Sequence, residues 1–198
     1  MKIRKATADD IPRIKPLYRQ IIARLYELAP LYRVDCEQED EFIKKTIECE
    51  SSDILVAEED GGLLAFALLE GRETAKLAGV APRRYAFLMD ICVDEKLRGH
   101  GIGSAMLAAC EEWAREKNYE YIELNVLEAN AAARRLFQQR ADALAEQEER
   151  GLVRNTHRLL HVVRHHDDRI FFLQFYRKIL DLRGRDRVKR RRRLIHQN

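Results

Sequence analysis

The sequence predicts an α/β protein, a sheet flanked by helices, and three stretches carry that expectation. Ile11, Ile14, Leu17, Tyr18, Ile21, Ile22 and Leu25 recur at intervals of three and four, which draws one apolar face along a helix. The apolar runs at residues 54–58 and 63–70 are separated by Glu59-Asp60-Gly61-Gly62, a hairpin signal because glycine supplies the positive φ of a tight turn. In the third stretch a β-branched run stops at Val93, a charged turn follows, and Gly99, Gly101 and Gly103 lead into a helical pattern. That is a strand, a loop and a helix N-terminus.

Each element has its own signal. Residues 2–5 read as a short first strand, and Thr7-Ala8-Asp9-Asp10 is a capping box with Asp in place of the usual Glu, followed by Pro12 in the first turn. The first helix extends to about Leu28, and Pro30 ends it. A shorter helix over residues 39–50 carries Phe42, Ile43 and Ile47. The hairpin gives two strands, residues 71–84 read as a loop containing Gly79 and Pro82, and residues 85–93 form a fourth, buried strand. Ile102, Met106, Ala109 and Trp113 share the apolar face of the next helix, and Trp113 reads as core. A fifth strand follows at residues 121–126, and the Ala, Leu, Gln and Glu of residues 129–149 favour a long helix.

Length and charge set bounds. A chain of 198 residues with 46% apolar content fits one domain with an appendage. Residues 1–150 hold 22 Lys+Arg against 29 Asp+Glu, net −7, whereas residues 151–198 hold 14 against 4, net +10. Ala, Ser, Pro and Glu vanish after residue 150, five of the six histidines fall there, and the chain closes on an arginine-rich run at residues 185–193. We therefore divide it into a domain at 1–150 and a basic segment at 151–198, whose last fourteen residues read as disordered in isolation. Residues 156–163 and 169–180 fit strand or helix equally. Cys36, Cys49, Cys92 and Cys110 show no metal-ligand spacing, no signal peptide precedes Lys2, and the longest apolar run, residues 63–69, is too short for a membrane span. The expectation is a cytoplasmic protein with reduced thiols.

The glycine stretch carries the chemistry. The first N–H groups of a helix have no intrahelical partner and lie at the positive end of its dipole, so an anion is stabilised there, and glycines let a phosphate come close. A P-loop is excluded because no Gly-Lys-Ser/Thr follows. A dinucleotide fingerprint needs GxGxxG directly after a strand, whereas here the spacing is GxGxG and a turn with Arg98 intervenes.

Arg98-Gly99-His100-Gly101-Ile102-Gly103 resembles the Gln/Arg-x-x-Gly-x-Gly/Ala signature of the GNAT superfamily of N-acetyltransferases, and Asn130-Ala131-Ala132-Ala133 resembles its Asn-x-x-Ala segment. The supporting pattern covers residues 2–137. The resemblance implies a mixed, mostly antiparallel sheet whose fourth and fifth strands splay apart around acetyl-CoA. It implies that the backbone of Ile91, Cys92 and Val93 pairs with the pantetheine arm, that Arg98, Gly99, His100, Gly101, Ile102, Gly103 and Ser104 wrap the pyrophosphate, and that Asn130 bonds the cofactor near its thioester. The implied reaction moves an acetyl group to a primary amine of a small molecule or protein by direct attack.

Such chemistry needs a base for the ammonium and a donor for the developing oxyanion. Asp90, among apolar strand neighbours, is the first choice of base and Glu123 the second. Each also reads as an ordinary acid at a strand end or surface, Cys92 as a small core residue, and Asn125 and Asn130 as residues that satisfy strand-end and helix-cap geometry. The acceptor pocket is expected between residues 30–38 and 71–84, with Tyr32, Arg33 and Tyr85 at hand.

Two departures stand out. The family's general-acid Tyr, seven residues after the Asn, falls on Phe137, and Gln138-Gln139-Arg140-Ala141-Asp142 replaces its usual Gly-Phe turn and closing strands. A reading-frame change near residue 138 would explain the second; the other two frames of the gene would then encode that turn. The rival is a basic appendage that binds RNA or anionic lipid, although a charge run is more often a solvated face. A non-catalytic acyl-CoA-binding or RNA-associated protein is the alternative function, and the oligomeric state, homodimer included, stays open.

Overall fold

A computed structural model describes residues 1–149, apart from Tyr32, residues 75–77 and residue 80, together with the backbone of one further strand at 160–165. Side chains are described up to residue 144. The arginine-rich run, residues 169–180 and the expected disordered terminus lie outside the described residues, as does Tyr32.

The elements are β1 (Lys2–Lys5), α1 (Ile11–Leu28), α2 (Asp40–Glu48), β2 (Ser52–Glu59), β3 (Gly62–Glu73), β4 (Arg84–Val93), α3 (Ile102–Glu116), β5 (Ile122–Leu127), α4 (Ala131–Glu149) and β6 (Leu160–His165). They build one six-stranded sheet in the order β1-β2-β3-β4-β5-β6. The first three pairings are antiparallel and the last two parallel. Chain order and sheet order coincide, so each hairpin closes locally and only the two parallel pairings need crossovers, supplied by α3 and α4.

The sheet buries both faces. Ile14, Leu17 and Tyr18 of α1 and Ile43 of α2 pack with Ile54, Val56, Phe66, Leu68 and Cys92 on one side. On the other side Met106, Leu107, Cys110 and Trp113 of α3 and Phe137 of α4 pack with Leu55, Ala67, Leu88 and Leu124. The small residues Ala57, Ala65, Ala67 and Ala86 all lie under α3 and α4, where they let the helices settle close to the sheet.

Several expectations change in detail. The capping box forms, with Thr7 N donating to Asp10 Oδ2 at 2.9 Å, but it opens a single 3-10 turn at Ala8–Asp10 before α1 starts at Ile11. The second helix is one to two residues shorter at each end than expected. Strand β3 runs on to Glu73, through residues read as loop. Gly71 allows this: a Cβ there would stand 1.8 Å from the Tyr119 hydroxyl oxygen, so the strand can continue only past a residue without a side chain. The sheet does not end at β5 as the missing Gly-Phe turn suggested, because β6 pairs with β5 from Ile122↔Leu160 to Leu127↔His165. This strand belongs to the segment beyond residue 150, yet it extends the same sheet.

The start of α1 is locked to the sheet edge by charge. Arg4 donates to Asp10 at 2.7 and 2.9 Å and to Glu58 at 3.0 and 2.7 Å, and Arg13 reaches Asp10 at 3.2 Å. Asp10 is only 2% exposed, and the Arg4 bonds hold its carboxyl well below the usual carboxylate range, against the opposing effect of burial. A depressed carboxyl stabilises the fold above the unfolded-state pKa of about 4, and that contribution fades as pH falls below it. Asp10→Asn should therefore cost about 2 kcal/mol in urea unfolding at neutral pH, Arg4 being partly exposed and the pair correspondingly discounted. The gap between variant and parent should narrow as pH drops below about 4; an equal gap at both pH values would refute the ion-pair account.

Candidate functional site

Strand β4 is where sequence and geometry converge. Its register with β3 runs Ala65↔Val93, Phe66↔Cys92, Ala67↔Ile91 and Leu68↔Asp90, and then jumps to Leu69↔Leu88. Met89 is thus one extra residue, a β-bulge, and it is 39% exposed. A bulge reverses the inward and outward alternation of everything beyond it. Ala86 and Leu88 face α3 before it, and Ile91 and Val93 face α3 after it. Asp90 consequently falls on the α1 side with Cys92. Were Met89 paired in regular alternation, Asp90 would point into the core beneath α3.

The bulge also marks where β4 and β5 part. Their parallel pairing covers only Ala86↔Ile122, Phe87↔Glu123 and Leu88↔Leu124. Beyond it β5 stays paired with β6 to its last residue, whereas β4 continues from Met89 to Val93 with β3 on one side and, among the described residues, no strand on the other. The edge at Ile91, Cys92 and Val93 therefore offers main-chain donors and acceptors to an extended ligand. Val93 is partly engaged, since Arg98 Nε donates to its carbonyl at 3.2 Å and ties the following loop back to the strand.

That loop leads into the glycines. Asp94 accepts from Lys96 N at 3.0 Å and Gln20 of α1 accepts from Glu95 N at 2.9 Å, which fixes the turn. His100 is exposed, and its Nδ1 donates to the Leu97 carbonyl at 3.2 Å, as befits a spacer. Gly99 and Gly101 have φ of +84° and +80°, and Gly101 is the N-cap of α3. Both conformations strain any L side chain. Gly103 is a glycine for space: a Cβ would lie 3.0 Å from Leu136 of α4 and 3.8 Å from Val93. The first intrahelical bond is Ala105 N to Gly101 O at 3.1 Å, which leaves the N–H groups of Ile102, Gly103 and Ser104 without helical acceptors.

The fifth strand leads into α4. Asn130 caps that helix, its Oδ1 accepting from Ala133 N at 3.3 Å and its carbonyl from Arg134 N at 3.0 Å. Arg134 donates from Nη1 to the Glu128 carbonyl at 3.1 Å, while its buried Nε has no hydrogen-bond partner among the described residues. Open N–H groups at a helix head and left-handed glycines form a donor set suited to a phosphate-bearing ligand. Phe137 is 4% exposed and packs in the α3 core. Groups of three or more His, Cys, Asp or Glu arranged for a metal ion do not occur among the described residues.

Asp90 and Glu123 occupy one face of the sheet. Phe87 pairs with Glu123, and Asp90 lies three residues farther along β4 on the same side, so their Cα atoms are about 10 Å apart along the strand direction. Burial raises the carboxyl of Asp90, opposed by a hydrogen bond from Tyr18 Oη at 3.4 Å and by the charge of Arg33. Burial likewise raises Glu123, opposed by Arg72. The Arg72 guanidinium is itself committed, pairing with Glu70 at 2.7 Å and lying 3.8 Å over the Phe87 ring. Tyr85 stacks on Tyr121 at 5.0 Å, beside Glu123. The buried Cys92 thiol donates to the Leu17 carbonyl at 3.4 Å, and burial pushes it up to about 11, as suits a core residue.

Sequence reading placed the glycine turn, the β4 edge and Asp90 together, and they do adjoin. It missed Met89, whose signal was the irregular spacing of inward residues, Ala86 and Leu88 followed by Ile91 and Val93. It also read Tyr18 only as an apolar helix position. Arg33 bears on Asp90 from the segment between α1 and α2, and Arg19 pins that segment by pairing with Asp35.

Comparison with known proteins agrees with this geometry. Residues 22–141 match the acetyltransferase (GNAT) family. An uncharacterized N-acetyltransferase of Bacillus subtilis, YhfO, is 30% identical over 139 residues, 70% of this chain and 87% of that protein. An uncharacterized N-acetyltransferase of Archaeoglobus fulgidus is 26% identical over 137 residues, 69% of this chain and 89% of that one. The crystal structure of a tetramutant of the BH1408 protein from Bacillus halodurans superposes with a TM-score of 0.67 at 25% identity, covering 70% of this chain and 91% of that one. With its sheet, its parted strands and its glycine-led helix, the chain belongs to the GNAT family and is an acetyltransferase.

Proposed function

We propose that the protein transfers the acetyl group of acetyl-CoA to a primary amine of a small molecule or protein, by direct attack within a ternary complex. One observation carries this: the unpaired edge of β4 from Met89 to Val93 runs straight into the left-handed glycines at the head of α3. An extended arm on the edge would place its phosphates on the helix. Acetyl-CoA has that shape, and it supplies an acyl carbon activated by a thiol leaving group. Ile91, Cys92 and Val93 would hold the pantetheine through the main chain, and residues 98–104 the pyrophosphate. Asn130 would serve near the thioester through its amide nitrogen, its Oδ1 being spent on the helix cap.

Asp90 is the proposed base. Its carboxylate takes a proton from the acceptor's ammonium, and the freed lone pair forms the new C–N bond as the C–S bond breaks. The electron pair leaves on sulfur, the nitrogen sheds its second proton to solvent as the neutral amide forms, and solvent returns a proton to the thiolate to give the free thiol, because Phe137 has none to donate. Glu123, with Tyr85 and Arg33, flanks the acceptor side. Exposed free thiols at Cys36 and Cys49 suit a reducing, cytoplasmic setting. No helix among the described residues is long and apolar enough to cross a membrane. The buried Phe137 is also what favours the second reading, a non-catalytic acyl-CoA-binding protein.

Calorimetry with acetyl-CoA followed by thiol release against a panel of amines separates the two. Binding with turnover supports the enzyme, binding without turnover on any amine supports the second reading, and no binding removes both. Asp90→Asn should lower kcat/KM by about 10²–10⁴-fold with acetyl-CoA affinity unchanged; if Glu123→Gln alone has that effect, the base is Glu123. Gly101→Ala meets open space but must hold φ near +80°, so the strain falls on the backbone. About 1–2 kcal/mol of such strain predicts acetyl-CoA binding weaker by roughly 5–30-fold, with folding retained. Unchanged affinity would remove the glycine turn from the binding site.

A further inference from the structure

We propose that Tyr18 is a positioning residue for the reaction: its hydroxyl orients the Asp90 carboxylate and holds it in the proton-accepting form. The inference rests on Asp90 being the base. Tyr18 lies on α1, is 2% exposed, and is packed by its ring against Phe66 at 4.4 Å between centroids. That packing leaves the hydroxyl little freedom, and it lies 3.4 Å from Asp90 Oδ2. Among the described residues it makes the one hydrogen bond that the Asp90 side chain receives.

The direction of that bond is what matters. Burial first, and Asp90 second, push the Tyr18 phenol well above its ordinary range, so it remains protonated at every working pH. The proton a phenol keeps needs an acceptor, and a carboxylate oxygen is a better acceptor than a carboxylic acid. Tyr18 therefore opposes the burial that would otherwise hold Asp90 protonated and idle. The groups facing Asp90 are few: Tyr18 from α1, the exposed Arg33 from the segment after α1, and on β4 itself the neutral Cys92 thiol. Arg33 acts through charge alone from an exposed position and is screened by salt, whereas the part-buried Tyr18 bond is screened far less. The bulge at Met89 makes the contact available, by turning Asp90 to the face that α1 covers.

Tyr18→Phe tests this, because it removes one oxygen and keeps the ring against Phe66. At fixed ionic strength the acid-side inflection of kcat/KM should move up by about half to one pH unit, a loss of about 3–10-fold below the inflection and less than about 2-fold on the plateau. Acetyl-CoA affinity should not change. A lower melting temperature with an unmoved inflection would overturn the proposal, since a tyrosine that only fills the core has no reason to set a pH profile. Fluorotyrosine at position 18 keeps the shape and strengthens the donor, so the inflection should move down; an unmoved one again overturns the proposal, even if Tyr18→Phe folds poorly. Asp90→Asn separates the layers. If it leaves kcat/KM and its pH profile intact, the base assignment fails and takes the Tyr18 role with it. If it abolishes turnover while both Tyr18 variants leave the parent inflection in place, the positioning role alone fails.

Discussion

One extra residue in β4 organises the site. Met89 breaks the register with β3, and two consequences follow that no side-chain contact could produce alone. Alternation is reversed beyond it, so an acid that would have been buried under α3 meets α1 instead. The strand also departs from β5 after Leu88, so beyond it this edge has no partner strand among the described residues. The same local irregularity thus coincides with the parting of β4 from β5 and turns Asp90 to the α1 face. A bulge costs ladder hydrogen bonds, and here it is held by well-packed residues on both sides, Leu88 at 3% and Cys92 at 5% exposure.

The rest of the fold keeps that irregular strand in place. On the α1 side, Arg4, Asp10, Arg13 and Glu58 clamp the helix start to the sheet edge, so α1 crosses β4 where Tyr18 can reach Asp90. On the other side, Arg140 of α4 donates to Glu111 of α3 at 2.7 and 2.6 Å, and Gly103 lets the two helices meet without a side chain between them. The head of α3 is therefore fixed relative to β4, although its own first N–H groups have no helical acceptors among the described residues. A rigid frame around an open donor set is a preorganised arrangement, since the main chain need not move to receive a phosphate.

Much of this could be read in advance, for definable reasons. Periodicity placed α1, the hairpin and α3, because each buries one face and has time to repeat. The glycine turn was legible because positive φ restricts residue choice so strongly. Residues whose role depends on a tertiary partner were not legible. Gly71 sat in a stretch that read as loop, and only the Tyr119 hydroxyl behind it explains a strand there. Tyr18 scored as one more apolar helix position, and its hydroxyl acquired meaning only when β4 brought Asp90 across. Residues 156–163 suited strand or helix equally, and it took the exposed edge of β5 to select the strand now formed by Leu160–His165. Asn130 fitted both of its readings in sequence, and the helix cap is the one for which the structure shows a contact.

The asymmetry between Asp90 and Phe137 then has a chemical logic. An alkyl ammonium has a pKa of about 10.4, so near neutral pH only about one molecule in a thousand is the free amine that can attack. A base beside it addresses that deficit directly. The leaving thiol is a different case: with a pKa of about 8.5 it departs as a thiolate that water can protonate afterwards. Loss of a general acid is thus far less damaging than loss of a base. The structure follows that order, supporting the carboxylate with a buried tyrosine and a nearby arginine while burying phenylalanine at the acid's position. If Asp90 is the base, as proposed, the Tyr18 contact acts at the step where the proton deficit is largest, and on that reading it weighs more than the missing phenol in favour of turnover.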